Sequence, residues 1–155
     1  MGDYTHEWLC RQIVEGAADA VIFGDAEGIV RLWNAGAERI FGFRADEVVG
    51  KPMDLIIPVN LRERHWQGYR QAMQTGRTEY NRDLLAVPAI RKDGSRISIE
   101  FTIVLIRDAD GNLLGPAAIL RDVTSRWNQD KELRKRLTAL EAEVAKLTGA
   151  QGSDK

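Results

Sequence analysis

Apolar and polar positions alternate most regularly between residues 97 and 105. Ile97, Ile99, Phe101, Ile103 and Leu105 interleave with Ser98, Glu100, Thr102 and Val104. A period of two over nine residues predicts a strand with one face in a core. Two turns bracket it, Lys92-Asp93-Gly94-Ser95 before and Asp108-Ala109-Asp110-Gly111 after. The apolar stretches 78–91 and 113–121 then read as its neighbouring strands, with Pro116 expected at a bulge or break in the last one.

Near the N-terminus, Ala20-Val21-Ile22-Phe23-Gly24-Asp25 and Ile29-Val30-Arg31-Leu32-Trp33 flank Ala26-Glu27-Gly28. Two β-rich runs joined by a short glycine-containing link predict a hairpin. Helical patterns fill the remainder. Thr5 is placed to cap a helix reaching about residue 15, with Leu9 and Ile13 on one face and Trp8 beside them. Asn34 is placed to cap 35–41, which Gly42 stops, with Ala37, Ile40 and Phe41 on its apolar side. Short pieces at 45–49 and 53–57 follow, broken by Gly50, Pro52 and Pro58. A longer helix at 61–75 is expected to start from an Asn60 cap and end at Gly76. The order predicts an α+β fold: one five-stranded antiparallel sheet with helices on one face.

After Thr124 the pattern changes period. Leu133, Leu137, Leu140, Val144 and Leu147 are spaced four, three, four, three in a stretch rich in Glu, Lys, Arg and Ala. That spacing is an a/d seam of about two heptads. The expected organisation is an N-terminal helical cap at 1–18, a sheet-and-helix domain at 19–123, a coiled-coil helix at 124–148 and a polar tail at 149–155. In this register Arg136 at g and Glu141 at the next e can pair across a parallel homodimer. The alternative is that this helix folds back on its own sheet.

Composition narrows the functional classes. The 155 residues carry 22 Lys plus Arg and 23 Asp plus Glu, a net charge of −1, which argues against nucleic-acid binding. Cys10 is the single cysteine, so neither an internal disulfide nor a thiolate cluster can form. No apolar run approaches the roughly 20 residues of a membrane helix, and the first residues do not form a signal peptide. A cytoplasmic location is expected. No phosphate-cradling glycine loop or nucleophile beside a base is visible, so no catalytic residue is assigned and enzyme activity is not expected.

Several motifs in this order resemble the PAS domain of the sensory-box type. They are Asp25-Ala26-Glu27-Gly28-Ile29-Val30, the run from Trp33 to Phe43, Glu47-Val48-Val49-Gly50-Lys51, Arg91-Lys92-Asp93-Gly94-Ser95 and Leu120-Arg121-Asp122-Val123-Thr124. The resemblance spans about residues 10–125. It implies a bacterial signal-transduction module of five-stranded sheet and helices. It also implies that Asp122 caps an exit helix starting near Thr124, which carries the signal outward.

His65 is the candidate ligand-holding residue. Projected at 100° per residue, it lies among Leu61, Tyr69 and Ala72 and points at the sheet, with Gly68 leaving space on that side. A neutral imidazole is a good ligand for haem iron. The segment is similar to the haem-binding, FixL-type oxygen-sensor branch of the family, which implies His65 as the proximal ligand of a haem b. The same register implies Leu85 at the distal position, where that branch carries an arginine. Leu85 cannot donate a hydrogen bond to a bound gas, so carbon monoxide, nitric oxide or redox state are as suited as oxygen. Phe101, Ile103 and Ile119 are the expected pocket walls.

Three other readings stand beside this one. His65 can be an ordinary core histidine in a cofactor-free dimerisation module. The same cavity can receive a small metabolite. A non-covalent flavin can bind, with Trp33 or Trp66 as aromatic partners, although Pro58-Val59-Asn60-Leu61-Arg62 lacks the reactive cysteine of the light-sensing flavin branch. Tyr80 either caps the pocket or pairs across strands. The signalling partner is expected to be a fused or separate output domain, the chain being a piece of a larger receptor or a stand-alone dimer.

Overall fold

The structure is a computed structural model that describes residues 4–78 and 85–150. It divides into two compact units, Met1–Asp122 and Val123–Lys155. The first contains β1 (Ala20–Gly24), β2 (Val30–Trp33), β3 (Leu85–Ile90), β4 (Arg96–Arg107) and β5 (Leu113–Asp122). All neighbours are antiparallel and the strand order is β2-β1-β5-β4-β3. The expected sheet is therefore present. Helices α1 (His6–Gly16), α2 (Ala35–Phe41), α3 (Ala45–Val48) and α4 (Arg62–Thr75) belong to the same unit, with 3-10 turns at Met53–Ile56 and Val59–Leu61.

The β1–β2 turn is tied by one carboxylate. Asp25 Oδ1 accepts from the backbone N–H of Glu27 at 3.1 Å and of Ile29 at 2.9 Å. Asn34 does the same for the start of α2 and more. Fully buried, its Oδ1 accepts from Ala37 N at 2.9 Å and Val21 N at 2.8 Å. Its Nδ2 donates to Val14 O at 2.7 Å and Asp19 O at 3.1 Å. One amide thus satisfies backbone groups from α1, the approach to β1, β1 and α2, which is why a polar side chain is tolerated there.

The core lies between the sheet and helices α2 and α3. Ile22, Val30, Trp33, Ala37, Phe41, Val48, Ile97, Ile99 and Leu120 are all buried. Trp33 packs on Phe41 with ring centroids 5.4 Å apart and donates from Nε1 to Phe43 O at 3.0 Å. It is a core residue.

Several local expectations differ from the structure. Asn60 does not cap the long helix: it sits in a 3-10 turn, and Leu61, without a side-chain hydrogen bond, precedes α4. Pro116 does not break its strand, since it pairs with Leu105. The irregularity falls between Ile106 and Arg107 instead, opposite Leu114. There Gly115 comes so close to β1 that an added Cβ would lie 2.0 Å from Gly24 O, and a bulge accommodates the approach. Ile13 is exposed, leaving Leu9 and Val14 as the half-buried side of α1. Strand β3 starts at Leu85; Tyr80 and the first part of the expected strand lie outside the described residues. The second unit is a single helix, α5 (Thr124–Ala150), which runs through Gly149, where the sequence predicts a polar tail.

Candidate functional site

Helix α4 lines one side of the site, and its rotation decides what the site contains. Arg62, His65, Trp66, Tyr69, Ala72 and Met73 are buried or half-buried, while Glu63, Arg64, Gln67, Gly68, Arg70, Gln71 and Gln74 are exposed. The inward face is centred near Tyr69, about 40° round from His65 at 100° per residue. Two anchors set this rotation. Trp66 lies over the β1–β2 turn, where a Cβ on Gly28 would fall 2.2 Å from its ring. It donates from Nε1 to Asp54 Oδ1 at 2.6 Å. Tyr69, 8% exposed, donates its hydroxyl to Asp25 O at 2.5 Å. Burial and the nearby Asp25 and Glu27 carboxylates raise its pKa well above the usual 10, so the phenol stays a donor.

His65 sits at the edge of that face. Its ring makes an edge contact with Trp66 at 5.0 Å and lies 5.9 Å from Tyr69. Burial lowers its pKa below 6.5, opposed more weakly by Asp54, so the imidazole is neutral at neutral pH. Its Nδ1 is buried and has no hydrogen-bond partner among the described residues. A buried polar nitrogen left unpaired is uncommon and costs stability.

The strands supply the other wall in part. Phe101 packs against the edge of the core, and its backbone pairs with Leu85 on one side and Leu120 on the other. The side chain of Leu85 lies outside the described part of the structure. Ile103 continues the same face of β4 as Phe101 and is half-buried, in contrast to Ile97 and Ile99, which are 3% and 4% exposed. Two expected residues do not join them. Ile119 is 45% exposed, because it alternates with buried Leu120 and so faces the opposite side of the sheet. Gly68 is exposed, and an added Cβ would meet nothing within 4 Å. Ile119 thus lies on the other face of the sheet and Gly68 on the solvent side of α4.

Periodicity does not single out Asp54, Asp25 or Arg62, each of which makes its own contact here, Asp54 with Trp66 and the Asp25 carbonyl with Tyr69. Arg62 is half-buried and donates to Ile57 O at 3.2 Å. At the far end of the sheet Asp122 accepts from Arg91 Nη2 at 2.6 Å, and Arg91 Nε donates to Ile40 O at 2.9 Å. The last residue of β5 is thereby tied to the end of β3 and to α2.

The comparisons with known proteins agree with this architecture. A family model described as PAS fold matches residues 9–123. The chain belongs to the PAS family. An uncharacterised protein of Azorhizobium caulinodans is 34% identical over 126 residues, 81% of this chain and 17% of that protein. The oxygen sensor protein DosP of Escherichia coli is 27% identical over 112 residues, 72% of this chain and 14% of its own length. The sensor protein FixL of Bradyrhizobium diazoefficiens is 36% identical over 61 residues, 39% and 12% respectively. This PAS chain therefore corresponds to a small part of each of these relatives. Among solved structures, a PAS domain from Colwellia psychrerythraea superposes with a TM-score of 0.66 at 21% identity, covering 76% of this chain and 96% of that one. No helix among the described residues is long and apolar enough to cross a membrane, and none of them form a group of three or more His, Cys, Asp or Glu suited to a metal ion.

The donor set is of the kind a haem requires. A neutral imidazole beside Trp66 and Tyr69 is a donor that a haem iron would take. Leu85, Phe101 and Ile103 are uncharged, so none would have to be desolvated as an ion beside such a group.

Proposed function

We propose that this chain is the sensory unit of a signalling protein, that it binds haem b through His65, and that it reports occupancy through a homodimer formed by α5. The unpartnered buried Nδ1 of a neutral His65 carries the first part. In a haem-bound chain one ring nitrogen would hold the iron and the other would need a hydrogen-bond partner of its own. Haem, when bound, supplies an iron centre that a diatomic gas or an electron can reach. The chain's own residues do the remainder. His65 holds the group from α4. Trp66 and Tyr69, fixed by Asp54 and the Asp25 carbonyl, keep α4 in register. Phe101 and Ile103 exclude water from the opposite side. With leucine at position 85 the gas receives no side-chain hydrogen bond from that position, so carbon monoxide and nitric oxide are favoured over stabilised oxygen. A relative named as an oxygen sensor supports gas chemistry in general.

Movement of β4 and β5 on occupancy passes through the Arg91–Asp122 ion pair and the chain from Asp122 to Thr124 into α5. The test is reconstitution of the purified chain with haem. A strong Soret band that disappears in His65→Ala is the expected result; a spectrum unchanged by that substitution overturns the assignment.

The exposed seam of α5 favours a second reading, a cofactor-free dimerisation module. It predicts no Soret band in either protein while the dimer persists. A small metabolite in the same space would instead show as ligand-dependent thermal stabilisation without a Soret band.

A further inference from the structure

Arg62 stands on the inward face of α4 with His65 and has no counter-ion among the described residues. Two arginines are half-buried there, Arg62 and Arg91. Arg91 meets a carboxylate, Asp122 Oδ2 at 2.6 Å, and donates to Ile40 O at 2.9 Å. Arg62 makes a single hydrogen bond, from Nε to Ile57 O at 3.2 Å. A guanidinium carries five N–H donors and a full charge. Partial burial takes water from that charge, a loss that an anion ordinarily offsets. Helix stability does not account for the residue either. Arg62 is the first residue of α4, where the macrodipole disfavours a cation. Arg64 and Arg70, on the solvent side of the same helix, keep their water.

We infer that the site takes a ligand bearing a carboxylate, and that Arg62 binds this carboxylate. Guanidinium and carboxylate are both planar and match each other in two parallel hydrogen bonds. Arg62 and His65 are three residues apart on α4, about 4.5 Å along its axis and about 60° round it. One helix therefore offers a guanidinium and an imidazole side by side, and β4 offers Phe101 and Ile103 as apolar surface. The ligand class that uses both is an apolar body with a carboxylate at its edge. A ligand with neutral polar groups alone leaves Arg62 unpaired and is held less tightly. Haem b, an apolar ring bearing carboxylates, belongs to this class, and to that extent the inference rests on the haem reading above.

The experiment titrates the full chain with haem and with haem dimethyl ester, whose carboxylates are esterified and uncharged, and follows the Soret band. The unmodified protein is expected to bind haem about tenfold more tightly than the ester. Arg62→Gln should bind the two alike, and Arg62→Lys should keep part of the preference, because it keeps the charge and loses the fork. Urea unfolding of the ligand-free variants checks that they fold, and the comparison in the unmodified protein stands whether or not they do. Equal affinity of the unmodified protein for haem and ester overturns the inference and leaves His65 as the haem ligand. So does a preference that survives in folded Arg62→Gln. Absence of a Soret band with either compound overturns the haem reading alone. Thermal shifts with dodecanoate and with dodecanol then decide the inference. Stabilisation by the carboxylate only, lost in Arg62→Gln, supports it; any other pattern overturns it.

Discussion

Single side chains in this molecule hold together elements far apart in sequence. Asn34 is the strongest case, because its four hydrogen bonds are all to buried or half-buried backbone. Asn34→Ala is expected to lose about 3 kcal/mol in urea unfolding, since it removes a helix cap and leaves other groups unpaired. Gly28 is a steric case. It has φ +80°, and any Cβ would enter the Trp66 ring. Gly28→Ala is expected to destabilise by about 1–3 kcal/mol and to shift Trp66 fluorescence as α4 is displaced. His65 is an electrostatic case. Its folded pKa lies below 6.5, so below that pH the unfolded chain binds the proton more readily. Stability conferred by the neutral ring is complete above pH 6.5 and is lost as pH falls through the folded pKa. Urea midpoints should fall more between about pH 7.5 and pH 5 in the unmodified protein than in His65→Gln; equal falls would show that the ring is not buried in solution.

At the scale of elements, two helices illustrate different limits of pattern reading. For α4 the periodicity identifies an amphipathic helix but misplaces its axis of burial. Trp66 and Arg62 face inward and Gly68 outward. The cause is tertiary: Trp66 seats over Gly28, in a turn far earlier in the chain, and nothing local to α4 encodes that partner. For α5 the helix and its apolar stripe are legible in full, because a stripe needs only the helix's own spacing. Its consequence is measurable. Leu137→Asp with Leu140→Asp places two carboxylates at the centre of the stripe, and the chain should then sediment as a monomer. A dimer unaffected by the pair would locate the interface on some other element.

Across the whole molecule, the PAS unit and the exit helix are joined where β5 ends at Asp122 and α5 begins at Thr124. A ligand that binds the folded PAS unit alone must stabilise it by mass action. Haem at about a hundred times its Kd should therefore add roughly 2.7 kcal/mol, about 10 °C in melting temperature. His65→Ala should show no such rise. The ion pair from Arg91 to Asp122 holds the last residue of β5, and the proposed route to the exit helix starts from it. An Arg91→Gln variant that still binds haem but no longer alters α5 packing would establish that route.

Alternation, turn residues, caps and the heptad are local properties of the chain. They sufficed for the five strands, the hairpins, the Thr5 and Asn34 caps and the α5 stripe, because each depends on neighbours within a few residues. The contents of the site depend on contacts between distant segments. Which side of β5 Ile119 occupies, how far α4 rotates onto Gly28, and the isolation of His65 Nδ1 were decided by packing between a turn, a helix and a sheet. A periodic pattern specifies that a face is buried; only the shape of its partner specifies which residue stands at its centre.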